Sequence, residues 1–376
     1  MKILLNFIPL TSERLGGGWT YSVNLLRGLE TVAADHELIV VASEKVGQSI
    51  ECKKAKLLTF NLNADNRIQR VSWEHLKLPA IVKSIHPDVF HGPANTLPLK
   101  LSCPSVLTIH DFYHLYCPEY LSWLRRRYLA IVIPTSLRTA TRIIADSDYT
   151  KKDAIRFANV PSDKIETIYL GGLNDDELRK TDKNEEIIRK LGITKPYLLS
   201  VGSSLPHKNL VRLIKAFALV SRQIPQDLIL VGEKFKYGSM LQKVADSELK
   251  DQQDRLRHLG FVARQELLAL YKNADAFIIP SLYEGFGIPV LEAMQSGCPV
   301  ISSRLSSLPE VGGNAAEYFD ALNIENMAQT ILYVASDKKY RMKLQERGYV
   351  QSNNFSWQKM ALETLEVYTK AITIRT

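Results

Sequence analysis

Cysteine is scarce in this chain. Its 376 residues hold four, Cys52, Cys103, Cys117 and Cys298, scattered with no C-x-x-C pair. That spacing suggests neither a zinc site nor a disulfide framework. Long apolar runs are missing as well. None approaches the roughly 18 residues of a membrane-spanning helix, and the run at 128–133 stops at Pro134. The apolar opening, Ile3 to Leu10, is short, follows a single Lys and ends in Thr-Ser-Glu-Arg. It suits a first buried strand better than a cleaved signal, so a cytoplasmic protein is expected. Acidic residues are in deficit, 40 against 48 basic, for a net charge of +8. The imbalance favours anionic partners, whether nucleic acid, an anionic membrane surface or phosphorylated small molecules. The remaining composition, 45% hydrophobic and 23% charged, is ordinary and excludes a disordered or fibrous chain.

What is present is alternation. Length alone points to two domains. Short apolar runs at 2–7, 37–41, 89–91, 105–109 and 142–145 predict strands, with helices over 21–30, 73–84, 120–140 and 150–158. Gly171-Gly172 and the polar run 174–186 read as a linker. The pattern restarts with strands at 197–201, 228–231, 276–279 and 299–302 and helices at 210–220, 265–272, 288–295 and 326–335. The expected fold class is α/β, with two doubly wound parallel-sheet domains facing a central cleft. Ligands then bind beyond the carboxyl ends of the strands. The expected boundaries are 1–172 and 190–355, with a terminal helix in 356–376 crossing back to the first domain.

The most informative run is Glu284-Gly285-Phe286-Gly287-Ile288-Pro289-Val290-Leu291-Glu292. It follows an apolar strand and opens a helix, with Pro289 in the first turn, where a missing N–H costs nothing. Glycines let the backbone approach a ligand, and a new helix offers free N–H groups to an anion. Two carboxylates would repel a phosphate they touched. They make better sense as acceptors for sugar and ribose hydroxyls on either side of it.

This run resembles the E-x7-E signature of retaining GT-B glycosyltransferases, the large "group 1" family, whose members include bacterial envelope and extracellular polysaccharide hexosyl- and mannosyltransferases. Other segments resemble the family in order: Gly16-Gly17-Gly18, Val89-Phe90-His91-Gly92-Pro93, Thr108-Ile109-His110-Asp111, Ala145-Asp146-Ser147, Pro206-His207-Lys208-Asn209-Leu210 and Leu259-Gly260-Phe261-Val262. The resemblance implies two Rossmann-like domains, acceptor-binding first and donor-binding second. It implies that Glu284 holds hydroxyls of the transferred sugar, helped by the N–H groups of Gly285, Phe286 and Gly287. Amides near Ile288, Pro289 and Val290 would face the diphosphate, Glu292 would bind the ribose, and Val262 would lie at the donor. Lys208 would neutralise the leaving diphosphate, a role that a cation at a helix start also suits on physical grounds. Family members commonly carry Arg where this chain has His207, a residue only partly charged near neutral pH. Activity rising at lower pH is one expectation from that difference. Gly17 and Gly18, with Gly16, would form a loop over the donor phosphate, and His110 would sit near the reacting carbon, paired with Asp111 if it were merely structural.

Two motifs imitate other chemistry. Asp146-Ser147-Asp148 looks like a D-x-D metal motif, but it joins a strand to a helix, with Asp148 expected as the cap. No metal and no cofactor are expected. The glycine triplet fails the dinucleotide fingerprint because Tyr21 stands at its third glycine. The stretch from Tyr120 to Ala145 holds Arg125, Arg126, Arg127, Arg138 and Arg142 and no acid, with Trp123 and Tyr128 among them. Such a helix suits an anionic membrane, here the inner face of the plasma membrane, or a lipid diphosphate acceptor. It equally suits ordinary packing on the sheet, and both readings stay open. No nucleic-acid-binding module is visible. The expected function is transfer of a hexose from a nucleotide diphosphate sugar, GDP-mannose ahead of UDP-sugars, to a saccharide or lipid-linked saccharide in polysaccharide or lipopolysaccharide synthesis. A sugar-nucleotide epimerase, an NAD-dependent oxidoreductase and a noncatalytic nucleotide-sugar binding protein are the alternatives.

Overall fold

The computed structural model describes residues 1–11, 16–118, 121–174, 176–177, 184–233 and 237–374. They form two compact units, one of Met1–Leu170 with Ser356–Thr376, the other of Gly171–Phe355. The first carries β1 (Lys2–Asn6), β2 (Glu37–Ser43), β3 (Lys56–Phe60), β4 (Val89–Gly92), β5 (Ser105–Ile109), β6 (Arg142–Ala145) and β7 (Ile165–Thr167). They pair in the order β3-β2-β1-β4-β5-β6-β7, every pair parallel. The second carries β8 (Tyr197–Val201), β9 (Asp227–Val231), β10 (Leu256–Gly260), β11 (Ala276–Ile279), β12 (Val300–Ser303) and β13 (Ala316–Phe319), ordered β10-β9-β8-β11-β12-β13 and again all parallel.

Central strands of a parallel sheet are covered on both faces and so read as unbroken apolar runs. Leu4 of β1, flanked by Ile39 and Phe90, is fully buried, as are Leu198, Phe277 and Ile278 at the centre of the second sheet. On one side of that sheet the helices Leu210–Val220 and Ile324–Ser336 bury Leu213, Phe217, Ile331 and Val334 in one core. Strand order reverses between β1 and β4 and between β8 and β11. The crevice beyond the carboxyl ends at such a reversal is where doubly wound sheets hold ligands.

The last helix, Trp357–Thr373, belongs to the first unit. Ser356 caps it by accepting from the Lys359 N–H. It lies on the helix Gly17–Val32 so closely that a Cβ on Gly28 would stand 2.6 Å from the Ala361 Cβ. Tyr368 hydrogen-bonds His91 Nδ1 at 2.6 Å, and Lys370 pairs with Glu166 at 2.9 Å.

The structure differs from the sequence expectations in local detail. The strands β3, β7, β10 and β13 were not anticipated, and all four are sheet edges. The helix expected over 73–84 is two, Arg67–Leu76 and Leu78–Ile85, because Pro79 opens the second. The expected linker 174–186 and the helix start at Tyr120 lie partly outside the described residues; the arginine-rich helix is Trp123–Thr139, capped by Ser122. No described helix is long and apolar enough to cross a membrane.

Candidate active site

Each unit gathers an ion pair at the carboxyl ends of its central strands. In the second unit, β8 leads through Gly202 to a single 3-10 turn, Pro206–Lys208. Asn209 follows in the left-handed region, at φ 58°, and its amide donates to the Pro280 and Ala321 carbonyls. The Leu282 N–H donates to the His207 carbonyl at 2.7 Å, tying this turn to the segment after β11. Lys208 Nζ thereby reaches Glu284 Oε1 at 2.6 Å, and Ser281 Oγ donates to the same oxygen at 2.6 Å. Behind the carboxylate, Ser306 accepts from the Glu284 N–H, while Ser307 donates to the Glu284 and Phe286 carbonyls. Gly287 then turns the chain into the helix Ile288–Gln295 at φ 111°, where a Cβ would press to 2.9 Å from Leu308. Only glycine fits there.

Electrostatics sharpen this cluster. Burial works to raise the Glu284 pKa, but Lys208, His207 and the two hydrogen bonds outweigh it and hold the carboxyl below its ordinary value. His207 goes the other way: burial first, then the Lys208 charge, push it down to about 4. His207 is therefore neutral near pH 7, which corrects the expectation that its charge makes activity rise as pH falls. At the amides expected at the diphosphate, the Val290 N–H donates to the Gly287 carbonyl at 2.9 Å, and Pro289 has none.

Glu292 is not part of the Lys208 cluster. It is 5% exposed, with Arg264 Nη1 at 2.7 Å and the Tyr271 hydroxyl donating at 3.2 Å. Arg264 Nε in turn meets Glu177 at 2.8 Å. Neither Arg264 nor Tyr271 was anticipated; the acid that each serves lies more than twenty positions away. Val262 is buried just after the edge strand β10, beside a 70% exposed Phe261.

In the first unit, His110 stands at the end of β5. Its N–H donates to Asn95 Oδ1 at 2.7 Å, its Nδ1 lies 2.7 Å from Asp146 Oδ2, and its Nε2 lies 2.7 Å from the Pro93 carbonyl. Pro93 and Asp146 immediately follow β4 and β6, so three adjacent strands converge on one ring. Both ring nitrogens face acceptors, the arrangement of an imidazolium. Burial opposes that charge, yet Asp146, by charge and hydrogen bond, and the Pro93 carbonyl raise the pKa overall. The hydrogen-bond partner is Asp146; the neighbouring Asp111 adds only its charge and accepts from the Tyr113 N–H. Tyr21 stacks edge-on to His110 at 4.8 Å and continues a buried chain through Thr108 and His91 to Tyr368.

The glycine triplet is a helix start, not a loop. Gly16 is the N-cap and Gly17 and Gly18 the first turn of Gly17–Val32, with no acid there and no side-chain cap. A Cβ on any of the three would meet nothing within 4 Å, so packing inside the unit does not explain them. The expected cap at Asp148 is also corrected. Ser147 caps the helix Asp148–Ala158, and Asp148 accepts from the Thr167 hydroxyl at 2.6 Å. Asp146 and Asp148 thus serve different partners, and no cluster of metal-ligating side chains forms among the described residues. On the arginine-rich helix, Trp123 is 66% exposed, with the Arg127 guanidinium 5.1 Å from its ring centroid; Arg126 and Arg127 are exposed and Arg125 is half-buried.

Two Rossmann-like units, each doubly wound and all parallel, define the GT-B class of fold. Comparison with known proteins gives the family. Residues 183–351 match the family described as glycosyl transferases group 1, and residues 15–171 match glycosyltransferase family 4. The chain is 30% identical to O-antigen chain mannosyltransferase B of Escherichia coli, over 98% of this chain and 99% of that one. It is 31% identical to O-antigen chain mannosyltransferase RfbU of Salmonella typhimurium, over 81% and 84%. The crystal structure of HepE from Anabaena in complex with UDP and glucose superposes with a TM-score of 0.75 over 98% of this chain and all of the other, at 18% identity. The chain belongs to the group 1 and family 4 glycosyltransferases.

Proposed function

We propose that this glycosyltransferase moves a hexose, with retention and without a metal, from a nucleotide diphosphate sugar to a saccharide or lipid-linked saccharide in polysaccharide or lipopolysaccharide synthesis. GDP-mannose stands ahead of UDP-sugars as donor, in keeping with the mannosyltransferases it is similar to. Residues 190–355 take the donor and residues 1–172 the acceptor, with 356–376 completing the first domain. The enzyme works in the cytoplasm, at the inner face of the plasma membrane.

The observation that carries this reading is the 2.6 Å contact of Lys208 with Glu284, which joins two segments 76 residues apart at the reversal between β8 and β11. The bond from the anomeric carbon to phosphate breaks, and the acceptor oxygen bonds that carbon on the same face. The acceptor proton passes to the departing phosphate oxygen, and the nucleoside diphosphate leaves. Negative charge develops on the diphosphate, and a cation already in place stabilises it without reorganisation. Glu284, held ionised, accepts from hydroxyls of the transferred sugar, and Glu292 accepts from the ribose. The Gly16–Gly18 helix start offers amides to phosphate. His110 has both ring nitrogens engaged, so it acts as a brace and not as a base. A panel of GDP- and UDP-sugars, monitored for nucleoside diphosphate release, tests the reading. Release from none of them, or formation of an epimer, would refute it.

A further inference from the structure

Arg264 and Tyr271 lie about two turns apart on one face of the helix Arg264–Asn273. Both side chains reach the same carboxylate. Arg264 Nη1 lies 2.7 Å from Glu292 Oε1, and the Tyr271 hydroxyl donates to Oε2 at 3.2 Å. Each oxygen of Glu292 is thereby held from one side. A carboxylate offers about four acceptor positions, so each oxygen keeps capacity for a ligand. Two acceptors side by side match the adjacent hydroxyls of a ribose. Glu292 lies one turn inside the helix that follows β11, beyond the strand reversal between β8 and β11.

Arg264 is itself fixed from a third segment. Its Nε donates to Glu177 Oε1 at 2.8 Å. Glu177 is set in turn by a reciprocal pair: the Asn174 N–H donates to Glu177 Oε2 and the Glu177 N–H to Asn174 Oδ1, both at 2.9 Å. A guanidinium is planar, so holding Nε on one carboxylate fixes the direction in which Nη1 points. Burial raises the Glu292 pKa above its ordinary value, and the charge and hydrogen bond of Arg264 oppose that rise most strongly. Removing Arg264 therefore takes away both the anchor on Oε1 and the charge that resists protonation of the carboxylate. Stability explains such a trio poorly, because apolar groups in place of a buried ion pair are often no worse.

We propose that Arg264 is a positioning residue for nucleotide recognition: anchored by Glu177, it orients Glu292 to accept both ribose hydroxyls of the donor. The proposal rests on the reading of Glu292 as the ribose acceptor and adds the residue that makes it effective. GDP and UDP, each beside its 2′,3′-dideoxy form, are the probes, and the base that binds more tightly is carried forward. Calorimetry gives the ratio of the two affinities, ribose over dideoxyribose, for the wild type and each variant. The wild type favours the ribose form by at least roughly tenfold, as hydrogen bonds to a charged acceptor require. Arg264→Met brings the ratio close to unity and leaves affinity for the dideoxy form unchanged. Arg264→Lys keeps the charge without the planar fork and restores part of the ratio. In Glu292→Gln the ratio is already close to unity, and adding Arg264→Met does not move it. A wild-type ratio in Arg264→Met overturns the proposal and leaves Glu292 in its role. Equal losses for both forms also overturn it, because Arg264 would then support the fold or touch another part of the nucleotide. A wild type that does not distinguish the two forms removes the ribose role of Glu292 and the proposal with it. Binding of neither nucleotide refutes the proposed function as well.

Discussion

The two units answer one architectural problem with different ion pairs. His110–Asp146 and Lys208–Glu284 both sit at the carboxyl ends of parallel strands, each at 2.7 Å or less. In the first, every polar atom of the cation is engaged by the protein. In the second, the Lys208 side chain is partly exposed and its ammonium meets one side-chain acceptor among the described residues, leaving further N–H groups for a ligand. A saturated cation braces a site, and an unsaturated one serves it. That difference separates positioning from ligand contact before any substrate is considered.

Breaking the second pair gives the largest effect. Lys208→Met lowers kcat by about 10²–10³-fold, the range for loss of one preplaced charge-stabilising donor. Steady-state rates with the preferred donor check this, and a loss below tenfold would remove Lys208 from the ligand-facing role. Breaking the first pair acts on stability. Asp146→Asn costs about 3 kcal/mol, the lower end for a broken buried pair, because Asn keeps one hydrogen bond. The sign with pH follows from the raised His110 pKa. Stability from the pair is full below the ordinary value of 6.5 and is lost as pH rises through the raised one. The gap in melting temperature between wild type and variant is therefore widest in acid and narrows as pH rises. A gap independent of pH would show that His110 is not an imidazolium.

The smallest effect sharpens the comparison at its other end. His207 neighbours Lys208 yet titrates near 4. His207→Gln accordingly leaves the shape of the pH–rate profile unchanged between about pH 5 and 8, the range in which an ordinary histidine would titrate. A profile that loses an inflection near 6.5 would return His207 to the charged role first expected of it.

How much of this was legible in the sequence depends on where each residue sits. The nine strands anticipated are the interior of both sheets, largely buried and mainly apolar. The four missed are the edges, and half-burial explains them: Lys56 and Thr59 of β3 are exposed, and β10 carries Arg257 and His258 at intermediate burial. A strand covered on one side has no need of an unbroken apolar run. The Glu284 segment was legible because glycines, proline and carboxylates fall within nine residues. The His110–Asp146 pair was not, because its members are 36 positions apart and only the pairing of β5 with β6 joins them. Ser306 and Ser307 brace Glu284 from a turn after β12 that carries no chemical signal of its own.

The central claim is that Lys208 and Glu284 form the donor end of the enzyme. The most direct test compares nucleoside diphosphate release from GDP-mannose by the wild type and by Glu284→Ala, alongside their melting curves. The account predicts release by the wild type and a loss of at least about a hundredfold in the variant, which still melts cooperatively above the assay temperature. Glu284→Ala releasing nucleoside diphosphate at the wild-type rate would contradict it.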